Sequence, residues 1–171
     1  MIITSIPNFA VQYDQDLGLL RVEWSSGQDM RTFRTGTGQL LALAKEVKAR
    51  AIMLNMNSFP DISVYDQVWL STNWMPGLLE LPLERLVLAI NRCRVHNQLA
   101  IDALLALFGP RIRFDIQFFL TAAPGLHWLC DGSGRLPALL AEWNAVHGPT
   151  PPMEALLADL PPTYAGPSLS I

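Results

Sequence analysis

The order of apolar patterns along the chain is the feature that most limits its possible folds. Short apolar runs of the buried-strand type occur at 51–56, 85–90 and 114–120, and segments with helical spacing of apolar residues lie between and after them. Strands that alternate with helices favour a largely parallel sheet with helices packed on it. The pattern therefore predicts an α/β domain.

Two further strand-like runs, 9–13 and 19–24, precede this alternation. The turn-forming residues 14–18 lie between them and predict a β-hairpin. In the second run, apolar residues alternate with more varied ones, as in a strand that is buried on one face only. The predicted order is β-β-α-β-α-β-α-β-α over 9–131, in a mixed, largely parallel sheet.

Helical spacing is found at 30–48, 64–75, 95–108 and 122–130. In the third of these helices we expect one apolar stripe to face the core. In the first, Gly36 and Gly38 each cost about 1 kcal/mol relative to Ala, and we expect them to permit close packing on the sheet. The predicted core stripe of the third helix comprises Leu99, Ala103, Leu104 and Leu107.

The chain changes character after residue 131, so we divide it into a domain over 1–131 and a helical extension with a flexible tail over 132–171. Two apolar stripes occur in the extension, and each segment is too short to be a stable isolated helix. Their apolar faces must be covered either by the chain's own domain or by a second copy. The stripes comprise Leu136, Leu139, Leu140, Trp143 and Val146, then Met153, Leu156, Leu157 and Leu160.

The low charge content of the chain bears on whether the extension packs on its own domain or on a second copy. Only 16% of the residues are charged, while 50% are hydrophobic. Homodimer interfaces are more apolar than ordinary surface, so a possible homodimer through the extension is slightly favoured. The candidate dimer contacts are Leu136, Leu139, Leu140 and Trp143.

Charge and motif content argue against several classes of function. The net charge of −3 and the lack of a Lys/Arg run predict no nucleic-acid binding. No apolar stretch is long enough for a membrane span, and no signal peptide is recognised, so we expect a cytoplasmic protein. Two cysteines and three histidines lack metal-ligand spacing. Without a nucleophile elbow, a P-loop or a dinucleotide fingerprint, we expect no enzyme and no cofactor.

The residues that follow the strand at 51–56 form the candidate surface for a partner or ligand, because ligands bind at the carboxyl ends of strands in open α/β sheets. Ser63, three residues before Asp66, also fits a helix N-cap, and both aspartates fit stabilisation of the helix dipole. The two tryptophans fit core packing or a partner contact, and we do not expect them to share a helix face. This surface comprises Ser58, Asp61, Ser63, Asp66, Trp69 and Trp74.

Scattered residues over 9–131 resemble a known family. They include Phe33, the run 48–51, Asp66-Gln67-x-Trp69, Trp74-Met75-Pro76 and a final Leu126-x-Trp128-Leu129. This pattern is similar to the STAS-like, SpoIIAA-like family of small bacterial proteins. The resemblance implies a sheet with helices on it, a regulatory or protein-binding role, and a fold like that of lipid-binding CRAL-TRIO domains.

One branch of that family carries a phosphorylated serine at the start of the helix after the third strand. Ser63 is the residue nearest to that place, but the surrounding 57–63 departs from the branch's Asp-Ser-Ser/Thr-Gly pattern. We therefore expect a non-enzymatic regulatory or protein-interaction module whose partner the sequence does not name. The alternative is a binder of a small apolar ligand between sheet and helices. An enzyme with an unrecognised site is the third hypothesis.

Overall fold

A computed structural model describes residues 1–149 and shows one six-stranded sheet whose strands follow chain order. The first three strands pair antiparallel, and the pairs from the third strand to the sixth are parallel. The predicted fold class is confirmed. The strands are β1 (Ile2–Ile3), β2 (Phe9–Asp14), β3 (Leu19–Trp24), β4 (Ala51–Asn55), β5 (Arg85–Ala89) and β6 (Asp115–Phe119).

Helices follow each parallel strand, and a single-turn π-helix joins two of them. Consecutive parallel strands in chain order, with right-handed crossovers, place the first four helices on the same face of the sheet, which we call face A. The helices are α1 (Phe33–Glu46), α2 (Val64–Trp69), the π-helical turn (Leu70–Trp74), α3 (Met75–Leu79), α4 (Val95–Phe108), α5 (Ala122–Leu129) and α6 (Leu136–His147).

The opposite face of the sheet, face B, is covered by the last two described helices. Helix α5 packs on β4, β5 and β6, while α6 packs on β1 and β2. Apolar residues of the sheet, such as Met53 and Val87, form a second core with Leu126, Leu129 and Leu139. Helix α6 lies beyond the predicted boundary at residue 131, yet it packs on the same sheet as the rest. Met153, Leu156, Leu157 and Leu160 lie outside the described residues.

Strand β3 differs from the half-buried strand that its alternation predicted. Its residues are buried on both faces of the sheet, and Arg21 is 1% exposed. The prediction failed because α6 covers face B at this position. The two-residue strand β1 was not predicted either, since two residues are too few to show a period.

The predicted core stripe of α4 is wrong. Leu99 and Leu107 are 64% and 65% exposed, and Ala103 is exposed as well, while Leu104 is half-buried. The face that packs on the sheet instead carries Asn97, Ala100, Ile101 and Phe108. Because α4 is apolar on nearly every side, the spacing of its leucines could not distinguish the inner face from the outer one.

Candidate ligand cavity

A π-helical turn over Leu70–Trp74 interrupts the helix that follows β4. Pro76 explains it, because proline has no N–H to donate to the carbonyl four residues earlier and its ring clashes with that carbonyl. The Met75 N–H then reaches back to the Leu70 carbonyl, five residues away. Thr72 Oγ1 and Asn73 Nδ2 add hydrogen bonds to the Val68 and Trp69 carbonyls, at 2.9 and 3.2 Å.

The wide turn brings both tryptophans onto α1. In an α-helix, residues five apart would lie roughly 140° apart around the axis, and a π-helical turn reduces that angle. The Trp69 ring packs edge-on against Phe33, with centroids 6.5 Å apart. Trp74 Nε1 donates to the Thr37 carbonyl at 3.1 Å. Phe33 and Thr37 lie one turn apart on α1, so the expectation that the tryptophans face different ways is not met.

A partly open cavity of about 100 Å³ lies between face A and these helices. Its walls come from α1, from the π-helical turn and α3, from α4, from strands β2, β4 and β5, and from the segment between β4 and α2. Representative wall residues are Leu40, Leu70, Trp74, Leu88 and Ile101. Such a cavity is larger than the voids that close packing normally leaves, which hold little more than a water molecule.

The cavity has an apolar lining. Its one wall residue with a hydroxyl, Thr37, donates that group to the Phe33 carbonyl at 2.7 Å. The Trp74 indole N–H is likewise engaged, by the Thr37 carbonyl. A charged molecule would lose its hydration here without a compensating partner, whereas an uncharged apolar molecule would lose little. The lining therefore suits a small apolar ligand.

A buried amide holds one rim of the cavity in place. Asn97 of α4 is fully buried, and its Oδ1 accepts from the Ile62 N–H at 2.9 Å. Its Nδ2 donates to the Pro60 carbonyl at 3.0 Å. Ile62 lines the cavity, so Asn97 fixes the backbone that leads from β4 into α2. No sequence signal distinguished Asn97 from an ordinary polar residue of an exposed helix face.

The predicted surface is brought together only in part. Ser63 is the N-cap of α2, accepting from the Asp66 N–H at 3.1 Å, as predicted. Asp66 also pairs with Arg34 of α1 at 2.8 Å. A phosphate on Ser63 would lie beside the Asp66 carboxylate, 2.6 Å from the Ser63 hydroxyl, which disfavours the modified form.

Two members of the predicted surface stand apart from the cavity. The Ser58 hydroxyl donates to the Trp24 carbonyl at 2.9 Å, and Asp61 is exposed. Trp74 lines the cavity and Trp69 lies beside it. The sequence did not identify the cavity walls contributed by α1 and by α4, because apolar residues that line a cavity look like any other core residues.

The predicted dimer contacts pack within one copy. Leu139 and Trp143 are 4% and 3% exposed beneath α6, and Leu136 and Leu140 are half-buried beside them. The sequence left open whether this stripe packs on its own chain, and in the structure it does.

Polar contacts hold α6 to face B. Arg135, which precedes α6, donates to Asp14 of β2 at 2.5 Å. Burial alone would raise the pKa of Asp14, but the hydrogen bonds from Arg135 and from the Leu17 N–H outweigh it, and the pKa is lowered. The Arg21 guanidinium lies 3.6 Å from the centre of the Trp143 ring.

Other sites of chemical interest are sparse within residues 1–149. Cys93 is exposed and Cys130 is buried, and the described His, Cys, Asp and Glu residues form no group that could hold a metal ion. None of the described helices has the length and apolar character needed to cross a membrane.

Comparison with known proteins adds no relative: no family model, no curated protein and no solved structure matches this chain.

Proposed function

We propose that the protein binds a small, uncharged apolar molecule in the cavity between face A and its helices. The observation that carries the proposal is the cavity itself, with an apolar lining whose polar wall groups are already engaged. Ligand sites are mostly apolar concavities that exist before the ligand arrives.

The volume limits the size of that molecule. An apolar cavity of about 150 Å³ in another protein takes up benzene or xenon. The cavity of about 100 Å³ is smaller, so it fits a molecule no larger than benzene without rearrangement. A longer apolar chain would have to displace part of the wall, and the π-helical turn is the wall element with the least regular hydrogen bonding.

Benzene is a suitable probe because it is apolar, uncharged and at the upper end of this size range. We expect it to bind with a Kd on the order of 1 mM, as befits so few non-hydrogen atoms. The measurement is a titration followed by NMR of side-chain methyl groups. The Leu40, Leu70 and Leu88 methyl signals should shift and saturate, while methyl groups of face B should not.

A cavity-filling variant makes the test specific. Leu40→Phe should weaken benzene binding at least tenfold by occupying the space, and Leu136→Phe on face B should leave it unchanged. Thermal unfolding of both variants checks that they fold. If no saturable shift occurs in the wild type, or if Leu40→Phe binds as well as the wild type, the proposal is wrong.

A regulatory or protein-interaction module is the second candidate. Its specific support is the outer face of α2, where Val64, Tyr65 and Val68 are 68%, 82% and 57% exposed. This face lies on the helix that leads directly into the π-helical turn at the cavity. A chain that takes up no apolar probe would make the interaction module the better account.

A further inference from the structure

We propose that the protein forms a homodimer through β6 and the outer face of α4. Strand β6 is the last strand of the sheet, and no strand among residues 1–149 pairs with its outer side. An open edge strand is a template for another strand. Three observations favour a second copy of this chain as the occupant.

The first observation is that the outer edge of β6 is complementary to itself. The Asp115 N–H donates to Glu84 and the Phe119 carbonyl accepts from Ile90, so alternate residues of β6 bond inward. The backbone groups of Ile116 and Phe118 consequently point outward. A second β6 could pair antiparallel with this edge around a two-fold axis at Gln117. Ile116 of each copy would then lie opposite Phe118 of the other, and about four new backbone hydrogen bonds would form.

The second observation is the distribution of charge in that register. Asp115 would face Phe119 of the second copy, and Arg113 would face Thr121. Like charges directly opposite each other destabilise a strand pair. No like charges would face each other in this register, whereas a two-fold axis at residue 111, 112, 113 or 115 would place like charges opposite each other.

The third observation is the apolar surface beside the edge. Five large apolar side chains here are between 40% and 65% exposed. A large apolar residue has a surface on the order of 150–200 Å², so these five residues together expose roughly 400–500 Å² of apolar surface in each copy. This is over half of the ~800 Å² that each partner buries in a specific interface. They are Val95, Leu99, Leu107, Phe118 and Leu120.

Four of these side chains and the edge belong to one surface. Val95 and Leu99 of α4 line the same groove as Phe118 and Leu120, with Arg92 and Gln98 as its polar members. A large apolar area on the outer side of a helix is commonly covered by a partner. Helix α4 covers face A with one side, and the second copy would cover Val95 and Leu99 on the other, beside the exposed polar His96 and Asp102.

The sharpest test is a cysteine placed on the two-fold axis. In a Cys93→Ser background, Gln117→Cys should form an intermolecular disulfide, because residues facing each other across such a pair have Cα atoms about 4.5 Å apart. Asp115→Cys is the matched control, since its two copies would be roughly 13 Å apart. The readout is the dimer band in non-reducing gels of the folded full chain.

Light scattering tests the interface without cysteines. The wild type should double the 19.0 kDa mass of the chain. Phe118→Pro, which removes an outward N–H, and Leu99→Lys should both give monomers with unchanged circular dichroism. Val68→Lys on the outer face of α2 should remain dimeric. A monomeric wild type, equal cross-linking at 115 and 117, or dimers in both interface variants would overturn the proposal.

Discussion

Arg21 is a buried charged residue in the middle of the sheet. It is 1% exposed on face B and donates two hydrogen bonds to Glu23 Oε1, at 3.0 and 2.7 Å. Burial lowers the pKa of Arg21, and the Glu23 carboxylate opposes that effect. Its guanidinium stacks on Trp143, and a desolvated contact of this kind contributes about 2 kcal/mol. The pair joins α6 to the middle of the sheet.

Two glycines of α1 provide a prediction at the same scale. A Cβ on Gly36 would lie 2.7 Å from the Pro7 carbonyl oxygen, a backbone atom that cannot easily move, whereas nothing lies within 4 Å of one on Gly38. Gly36→Ala should therefore lower the free energy of unfolding by about 1–3 kcal/mol. Gly38→Ala should raise it by about 0.5–1 kcal/mol, through helix propensity alone.

Urea unfolding of the two variants measures both effects, and each variant serves as the other's control. Equal changes in the same direction would show that close packing of α1 on the Pro7 loop does not matter. The sequence suggested close packing for both glycines, and only the structure separates them.

At the scale of elements, the sequence predicts helices and strands whose apolar residues have a clear period. It does not predict features that depend on contacts with other elements. The hairpin β2–β3, the strands β4 to β6 and the cap at Ser63 all follow local patterns. The π-helical turn does not, because its cause is the proline after it and its effect is a changed angle between two tryptophans. The cavity is still less predictable, since four helical segments and three strands form it together.

Helix α6 carries the prediction at this scale. Asp14 has a lowered pKa because of Arg135 and the Leu17 N–H, despite its burial. A carboxyl whose pKa is lower in the folded state stabilises it above the unfolded pKa, near 3.8, and loses that contribution as pH falls through the folded value. The stability difference between the wild type and Asp14→Asn should thus be present at pH 6 and shrink below pH 3.8.

Urea unfolding of both proteins at a series of pH values from 6 to about 2.5 measures that difference. A difference that stays constant over this range would mean that Asp14 acts through packing and not through its charge.

At the scale of the whole molecule, the two faces of the sheet differ in kind. Helices α5 and α6 cover face B through apolar packing, the Arg135–Asp14 hydrogen bonds and the stacking of Arg21 on Trp143. Face A carries an apolar cavity under α1, the π-helical turn and α4. A void of this kind costs stability, about 24 cal/mol per Å³ in large-to-small substitutions, so a molecule that fills it recovers part of that cost. This asymmetry is the basis of the proposed ligand function.

The most direct measurement of that claim is a crystal structure of the chain under xenon pressure. Xenon is apolar and fits a cavity of this volume. We expect one strong xenon site between Leu40, Leu70 and Leu88, and its loss in Leu40→Phe crystals treated in the same way. Side chains that close the space, or xenon bound only elsewhere, would contradict the account.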